Sequence, residues 1–337
     1  LSDQIASPSA GLTPHDRPIL IFAQHRGGGT LLTRLLNCHP DVVIWGEHGG
    51  LINHLADADA VAQCYTDLLA PRTDAEFDRY LARGTTPPET YDPWFSPLTA
   101  RDYPDLCRAA IRTLFTRRLR PNQRWGFKEI RYHRPLVARF LARLFPGARI
   151  ILLTRDAVDL CVSNIMVAWS QDSLRAMAPS YDLVDALRVV EDCLYAIVAM
   201  QTNMATIARD LPEQALAVEY GSLAASGGAE LARVLGFLEL SATPSVDATM
   251  AAAAAMVAGA TDQPAPDPKW LLTARLVRPM ATDLLGRVRA DIAANGIDTV
   301  RLRRMASQGN DARGTPGRYS FLLGDPRFIE PGISALF

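Results

Sequence analysis

The chain has 337 residues, 48% of them hydrophobic, enough to bury a large core in one elaborated domain or in two. Its 35 basic and 36 acidic side chains leave a net charge of −1, which argues against the general basic field of a nucleic-acid binder. The apolar stretches around 148–153 and 247–260 are short or alanine-rich and read as no membrane span, and five scattered cysteines without a Cys-x-x-Cys pair support neither a disulfide framework nor a zinc site, so a reduced, cytoplasmic protein is expected.

Residues 1–17 are polar and Pro-bearing and read as a flexible lead-in, not a signal peptide. The apolar run over 18–24 predicts a buried strand. His25-Arg26-Gly27-Gly28-Gly29-Thr30 follows it, and Leu31, Leu32, Leu35 and Leu36 then set a helical spacing over 30–37. A strand, a glycine turn and a helix N-terminus form a geometry that holds phosphates, yet the lysine that follows the glycines in a Walker loop is missing. Val42 to Trp45 reads as a short strand ending in Gly46-Glu47. Residues 49–83 look helical in two or three pieces, and 83–99, rich in Pro, Thr and aromatics, reads as a long irregular loop of the lid or binding type.

Further along, helix 103–119, strand 124–130, helix 135–144 and a strand ending at Thr154-Arg155 are expected. Helix 156–170, a helical stretch over 181–210, strand 215–220 and helix 222–236 follow. Residues 241–269 are Ala- and Pro-biased and specify little; 270–305 are helical and Arg-rich; 306–337 form a Gly- and Pro-rich tail. The alternation over 18–236 predicts an α/β fold with a mostly parallel central sheet and helices on both faces. Residues 18–240 read as the core, and 241–337 as a helical extension and tail of the same domain.

Ligands in such sheets sit beyond the carboxyl ends of the strands. The residues at those ends are Arg26 to Thr30, Glu47, Lys128, Arg155 with Ser163 two turns into the next helix, and Glu219 with Tyr220. Cations, a glycine nest, an aromatic ring and a carboxylate on one rim suit a polyanion carrying a ring, beside one group able to take a proton. Lys128 stands out because only it and Lys269 are lysines in a chain whose other cations are arginines. A compact ammonium does what a broad guanidinium fork cannot.

These residues resemble the sulfotransferases that use 3′-phosphoadenosine 5′-phosphosulfate (PAPS) as donor. Arg26-Gly27-Gly28-Gly29-Thr30-Leu31-Leu32 is similar to the family's 5′-phosphosulfate loop, and "LLTRDAVDLCVSN", with Arg155 and Ser163, to its 3′-phosphate element. "WGFKEI" is similar to the segment that carries a lysine in the family, and "VEYGSL" to its Tyr-bearing segment beside the adenine. The resemblance implies cofactor contacts from Arg26, Gly27, Gly28, Gly29, Thr30, Leu31, Arg155, Ser163 and Tyr220. It implies release of adenosine 3′,5′-bisphosphate (PAP); no metal is expected, since no strand ends in a Walker-type acidic residue placed to hold Mg²⁺.

The cytosolic branch of the family places a His two residues after that lysine; here the position is Ile130. The branch that includes the tyrosylprotein and carbohydrate enzymes uses a Glu, and His39-Pro40-Asp41-Val42 with Gly46-Glu47 resembles the tyrosylprotein segment. The resemblance thus points to Glu47 as general base, with Lys128 on the transferring sulfonyl oxygens and Arg26 on the leaving group. Glu47 also reads as a helix cap, Tyr220 as packing, and His25 and His48 are rival bases. His54 and His133 read as ordinary helix-flank or surface residues. Tyr91, Trp94, Phe95 and Trp169 read as acceptor-pocket lining or as core, and Arg313 and Arg318 as possible phosphate contacts from the tail. The expected acceptor is a small molecule, sugar, lipid or peptidyl tyrosine, with no nucleic-acid partner. Two other readings stay open: a P-loop small-molecule kinase using ATP, and a non-catalytic PAP-binding protein.

Overall fold

The computed structural model describes residues 12–66, 102–170, 183–225, 228–241 and 268–307, with isolated positions between them. The lid-type loop at 83–99 with Tyr91, Trp94 and Phe95, most of 67–83, the side chains of Trp169 and Lys269, and the tail with Arg313 and Arg318 lie outside the described residues.

Five strands form one sheet: β1 (Ile19–Ala23), β2 (Val42–Trp45), β3 (Arg124–Glu129), β4 (Arg149–Thr154) and β5 (Ala215–Glu219). Their spatial order is β2-β3-β1-β4-β5, and every neighbouring pair is parallel. The chain leaves β1 for the β2 edge and returns through β3, then crosses to β4 and β5. The order therefore reverses at β1, the place where a sheet of this kind opens a crevice for a ligand.

The strands are apolar on both faces because helices cover both. Leu20, Phe22, Trp125, Phe127, Ile150 and Leu152 point to one side, under α2 (Leu51–Thr66), α3 (Asp102–Thr116), α4 (Pro135–Leu144) and the end of α6 (Leu183–Asp210). Ile19, Ile21, Ala23, Ile151, Leu153 and Val218 point to the other, under α1 (Gly29–Leu36), α7 (Tyr220–Ala225) and α8 (Ala229–Leu238). That period of two is the strand geometry itself. Each fully buried Ile, Leu or Phe contributes about 1.5–3 kcal/mol relative to exposure.

A third core joins α5 (Ala157–Ser170), α6, α9 (Pro268–Asn295) and α10 (Thr299–Ser307). Tyr195 on α6 accepts the Asp298 backbone N–H at 2.6 Å, and Arg301 lies 4.3 Å over its ring and pairs with Asp192 at 2.6 Å. The C-terminal helices thereby brace α5 and α6.

Three helix expectations need correction. The helix read over 103–119 ends at Thr116, where the Leu119 N–H turns back to the Thr116 carbonyl at 2.8 Å. The helix read over 222–236 is two, α7 and α8, and Gly228 caps the second at φ 118°. The stretch over 270–305 is likewise two helices, with Gly296 at φ 74° after the first. Glycine reaches this left-handed region without the Cβ clash that other residues meet, so it ends helices whose apolar spacing runs on.

Candidate active site

The loop after β1 is held from below. Gln24 donates to the Ile197 carbonyl at 3.1 Å, and Gln201 reaches both Gln24, at 3.3 Å, and the Arg155 carbonyl, at 2.8 Å. His25 pairs through Nδ1 with Asn164 Oδ1 at 2.8 Å, and burial holds its imidazole below the usual pKa. The Gly27 N–H closes a turn on the Gln24 carbonyl at 2.9 Å, and Gly28, at φ 90°, is the N-cap of α1.

The backbone N–H groups of Gly28, Gly29 and Thr30 donate to no described residue. They are the orphan donors that open any helix, here with the positive end of the helix dipole behind them. Side chains leave no slack around them. A Cβ on Gly28 would lie 2.0 Å from the Tyr220 ring, and one on Gly29 would lie 2.8 Å from Lys128 Cε. The glycines are thus required by close approach, and Lys128 is required to be slim.

Arg26 takes a left-handed backbone at φ 63°, rare for a residue with a Cβ. That turn presents its carbonyl to Arg155 Nη1 at 3.3 Å and its Nε to Ser163 Oγ at 3.4 Å. Arg155, just past β4, lies 5.2 Å over the Tyr220 ring, a cation–π distance. Tyr220 opens α7, whose first turn is capped by Glu219 accepting the Ser222 N–H at 2.8 Å. The structure thus brings Arg26, Gly27, Gly28, Gly29, Thr30, Arg155, Ser163 and Tyr220 to one crevice above β1 and β4. Leu31, half-buried on α1, stands one residue further along the same turn.

On the other side of β1, Lys128 Nζ is ion-paired with Glu47 Oε1, and Arg131 holds Glu47 Oε2 at 3.2 Å. Beneath them is Glu129, fully buried. Its Oε2 accepts the N–H groups of His48 at 3.1 Å and Gly50 at 3.0 Å. Its Oε1 accepts those of Ile130 at 3.0 Å and Arg131 at 3.3 Å, and Arg131 Nη1 at 2.7 Å. Burial alone would raise its pKa; Arg131 and the backbone donors outweigh that and hold the carboxyl below its ordinary value. One buried carboxylate therefore fixes the turn that carries Glu47.

Sequence reasoning named Lys128 and Ile130 and missed Glu129 and Arg131. A signal was present: the period of two puts Glu129 on the face of Trp125 and Phe127, a charge where an apolar residue belongs. Of the two rival bases, His25 is tied to Asn164 and His48 is packed into the aromatic core. His48 Nε2 meets the Tyr132 hydroxyl at 2.6 Å and its ring packs edge-on to Phe115 and Phe127. His133 flanks α4 as expected and is half-buried; its Nδ1 is buried without a partner among the described residues, and burial lowers its pKa to about 4.

The orphan amides, with Arg26 and Arg155 beside them, make the crevice cationic, and the Tyr220 ring lies under Arg155. No group of three His, Cys, Asp or Glu side chains among the described residues is arranged to hold a metal ion. No helix among them is long and apolar enough to cross a membrane.

Fold and site together define an α/β protein with a glycine loop, its amides unpaired among the described residues, at the switch point of a parallel sheet. A family model described as "Sulfotransferase family" matches residues 18–244, and the chain belongs to that family. Among solved structures it is similar to a sulfotransferase domain from the curacin biosynthetic pathway, at 14% identity over 68% of this chain and 76% of that one, with a TM-score of 0.40. It is also similar to a sulfotransferase from Alicyclobacillus acidocaldarius, at 17% identity over 72% and 96%, with a TM-score of 0.39. A third is the sulfotransferase domain of the Synechococcus PCC 7002 olefin synthase, at 15% identity over 80% and 94%, with a TM-score of 0.40. No curated protein matches the chain.

Proposed function

We propose that the chain transfers a sulfuryl group from PAPS to a hydroxyl or amine of an acceptor and releases PAP, with Glu47 as general base. The observation that carries this reading is the convergence of unpaired loop amides, Arg26 and Arg155 on one side of β1 with the Lys128–Glu47 pair on the other. When bound, PAPS supplies the activated sulfuryl group and a phosphate able to depart.

The amides of Gly28, Gly29 and Thr30, on the turn that Gly27 closes and with Leu31 behind them, bind the 5′ end, and Arg155 and Ser163 bind the 3′-phosphate. Tyr220 offers its ring to the adenine. Arg26 offsets charge on the departing phosphate oxygen. Lys128 gives up Glu47 for the sulfonyl oxygens, and Glu47, released, takes the proton of the acceptor as its oxygen or nitrogen bonds to sulfur and the sulfur–oxygen bond to phosphate breaks. Most of the rate enhancement comes from positioning and preorganised charge. The acceptor falls within the broad group of small molecules, sugars, lipids or peptidyl tyrosine.

The test is thermal unfolding with PAP, ADP and ATP in parallel, each with and without Mg²⁺. A ligand at 100 times its dissociation constant adds about 2.7 kcal/mol of stability. A rise with PAP that ignores Mg²⁺ is expected. A rise only with ATP and Mg²⁺ would overturn the donor assignment in favour of a kinase.

A further inference from the structure

A cleft of ≈ 330 Å³ opens beside Glu47, within the size range of small-molecule sites. One wall is Trp45 and the Gly46–His48 turn; the other is the last turn of α3, with Leu114 and Phe115, and the two residues after it, Arg117 and Arg118. The walls are tied together. Trp45 Nε1 donates to the Phe115 carbonyl at 2.9 Å, and the His48 and Phe115 rings meet edge to face at 5.2 Å.

The charges in this cleft are unbalanced. Its one carboxylate, Glu47, is already held by Lys128 and Arg131. Arg117 and Arg118 are exposed and bond to no described residue. The arginines of α3 itself are matched: Arg108 to Asp105 at 3.0 Å and to the Leu144 carbonyl at 2.7 Å, and Arg112 to Asp16 at 2.9 Å. Two unmatched guanidinium forks over an apolar wall select a planar anion on an apolar body. A donor rich in negative charge nearby makes these forks more necessary, since an anionic acceptor approaching it without its own cations meets repulsion.

We infer that the cleft is the acceptor subsite and that the acceptor is a hydroxylated carboxylic acid. Its carboxylate lies on Arg117 and Arg118, and its hydroxyl reaches Glu47. The inference deepens the sulfotransferase reading and rests on it for the role of Glu47; the preference of the cleft for carboxylates does not depend on that role.

The experiment measures binding by saturation-transfer NMR, with and without saturating PAP. The probes are 4-hydroxyphenylacetate and 10-hydroxydecanoate, each beside its primary amide, a neutral match in shape. At least one acid is expected to bind tenfold or more tightly than its amide. In the double variant Arg117→Ala/Arg118→Ala that acid falls to the level of its amide, while the PAP-induced rise in melting temperature stays as in the parent chain. Acids and amides binding alike, no probe binding, or a preference that survives the double substitution would each overturn the subsite. Loss of the PAP effect in the parent chain, with the acid preference intact, would instead count against the donor reading.

Discussion

Glu47 and Glu129 are both carboxylates within reach of Arg131, and their substitution has opposite signatures. Glu47 has a third of its side chain exposed and is held only by cations, so Glu47→Gln is expected to change stability by less than about 1 kcal/mol. The same change removes the proton acceptor and lowers kcat by about 10²–10⁴-fold. Glu129→Gln keeps the shape but must turn an NH₂ toward one set of donors, His48 and Gly50 or Ile130 and Arg131. A loss on the order of 3 kcal/mol is expected, because breaking a buried pair leaves an uncompensated charge. Urea unfolding and turnover on the two variants separate these outcomes; equal stability losses would remove the keystone role of Glu129. Lys128 was legible because lysine is so scarce in this chain. Glu129 was not singled out because a charge at a strand end ordinarily reads as surface, and only the three-dimensional return of the 48–50 turn shows what it binds.

At the scale of elements, the strands were legible to within a residue or so at their ends, since buried parallel strands are short apolar runs bounded by turn residues. Helix breaks were not, because apolar spacing continues across Gly228 and Gly296 while the backbone does not. The glycine turn before α1 was legible as a turn into a helix N-terminus, but the reason for each glycine was not. Gly28 yields to the Tyr220 ring and Gly29 to the Lys128 stem, partners about 190 and 100 residues away in the chain. Gly28→Ala is therefore expected to push Tyr220 out of place and to cost more than about 1 kcal/mol at this positive φ. The PAP-induced rise in melting temperature should vanish while far-UV circular dichroism stays native. A preserved rise would show that Tyr220 has no part in binding.

Over the whole molecule, acid sensitivity comes in two stages. Burial lowers the pKa of His25, His48 and His133, the last to about 4. An imidazole whose folded pKa lies below its unfolded value, about 6.5, contributes its full stability above that pH and loses it as pH falls through the folded value. Asp16, Glu129 and Glu239 titrate below their ordinary values, so their contributions are complete above about pH 4.5 and are lost below it. The melting temperature is expected to decline between pH 6.5 and 4 and to fall further below that, and a flat profile from pH 7 to 5 would contradict the buried-imidazole account. The sheet also sets a length. Arg26 and Arg155 leave adjacent parallel strands locked in register at Ala23 and Leu153. The strands from which the two cations spring therefore lie about 4.8 Å apart, and that spacing sets the base from which the two side chains reach. On the proposed reading the crevice is a ruler: a mononucleotide charged at both its 3′ and 5′ ends would bridge the two cations, whereas one that stacks all its phosphates on the 5′ end would load one and leave the other bare.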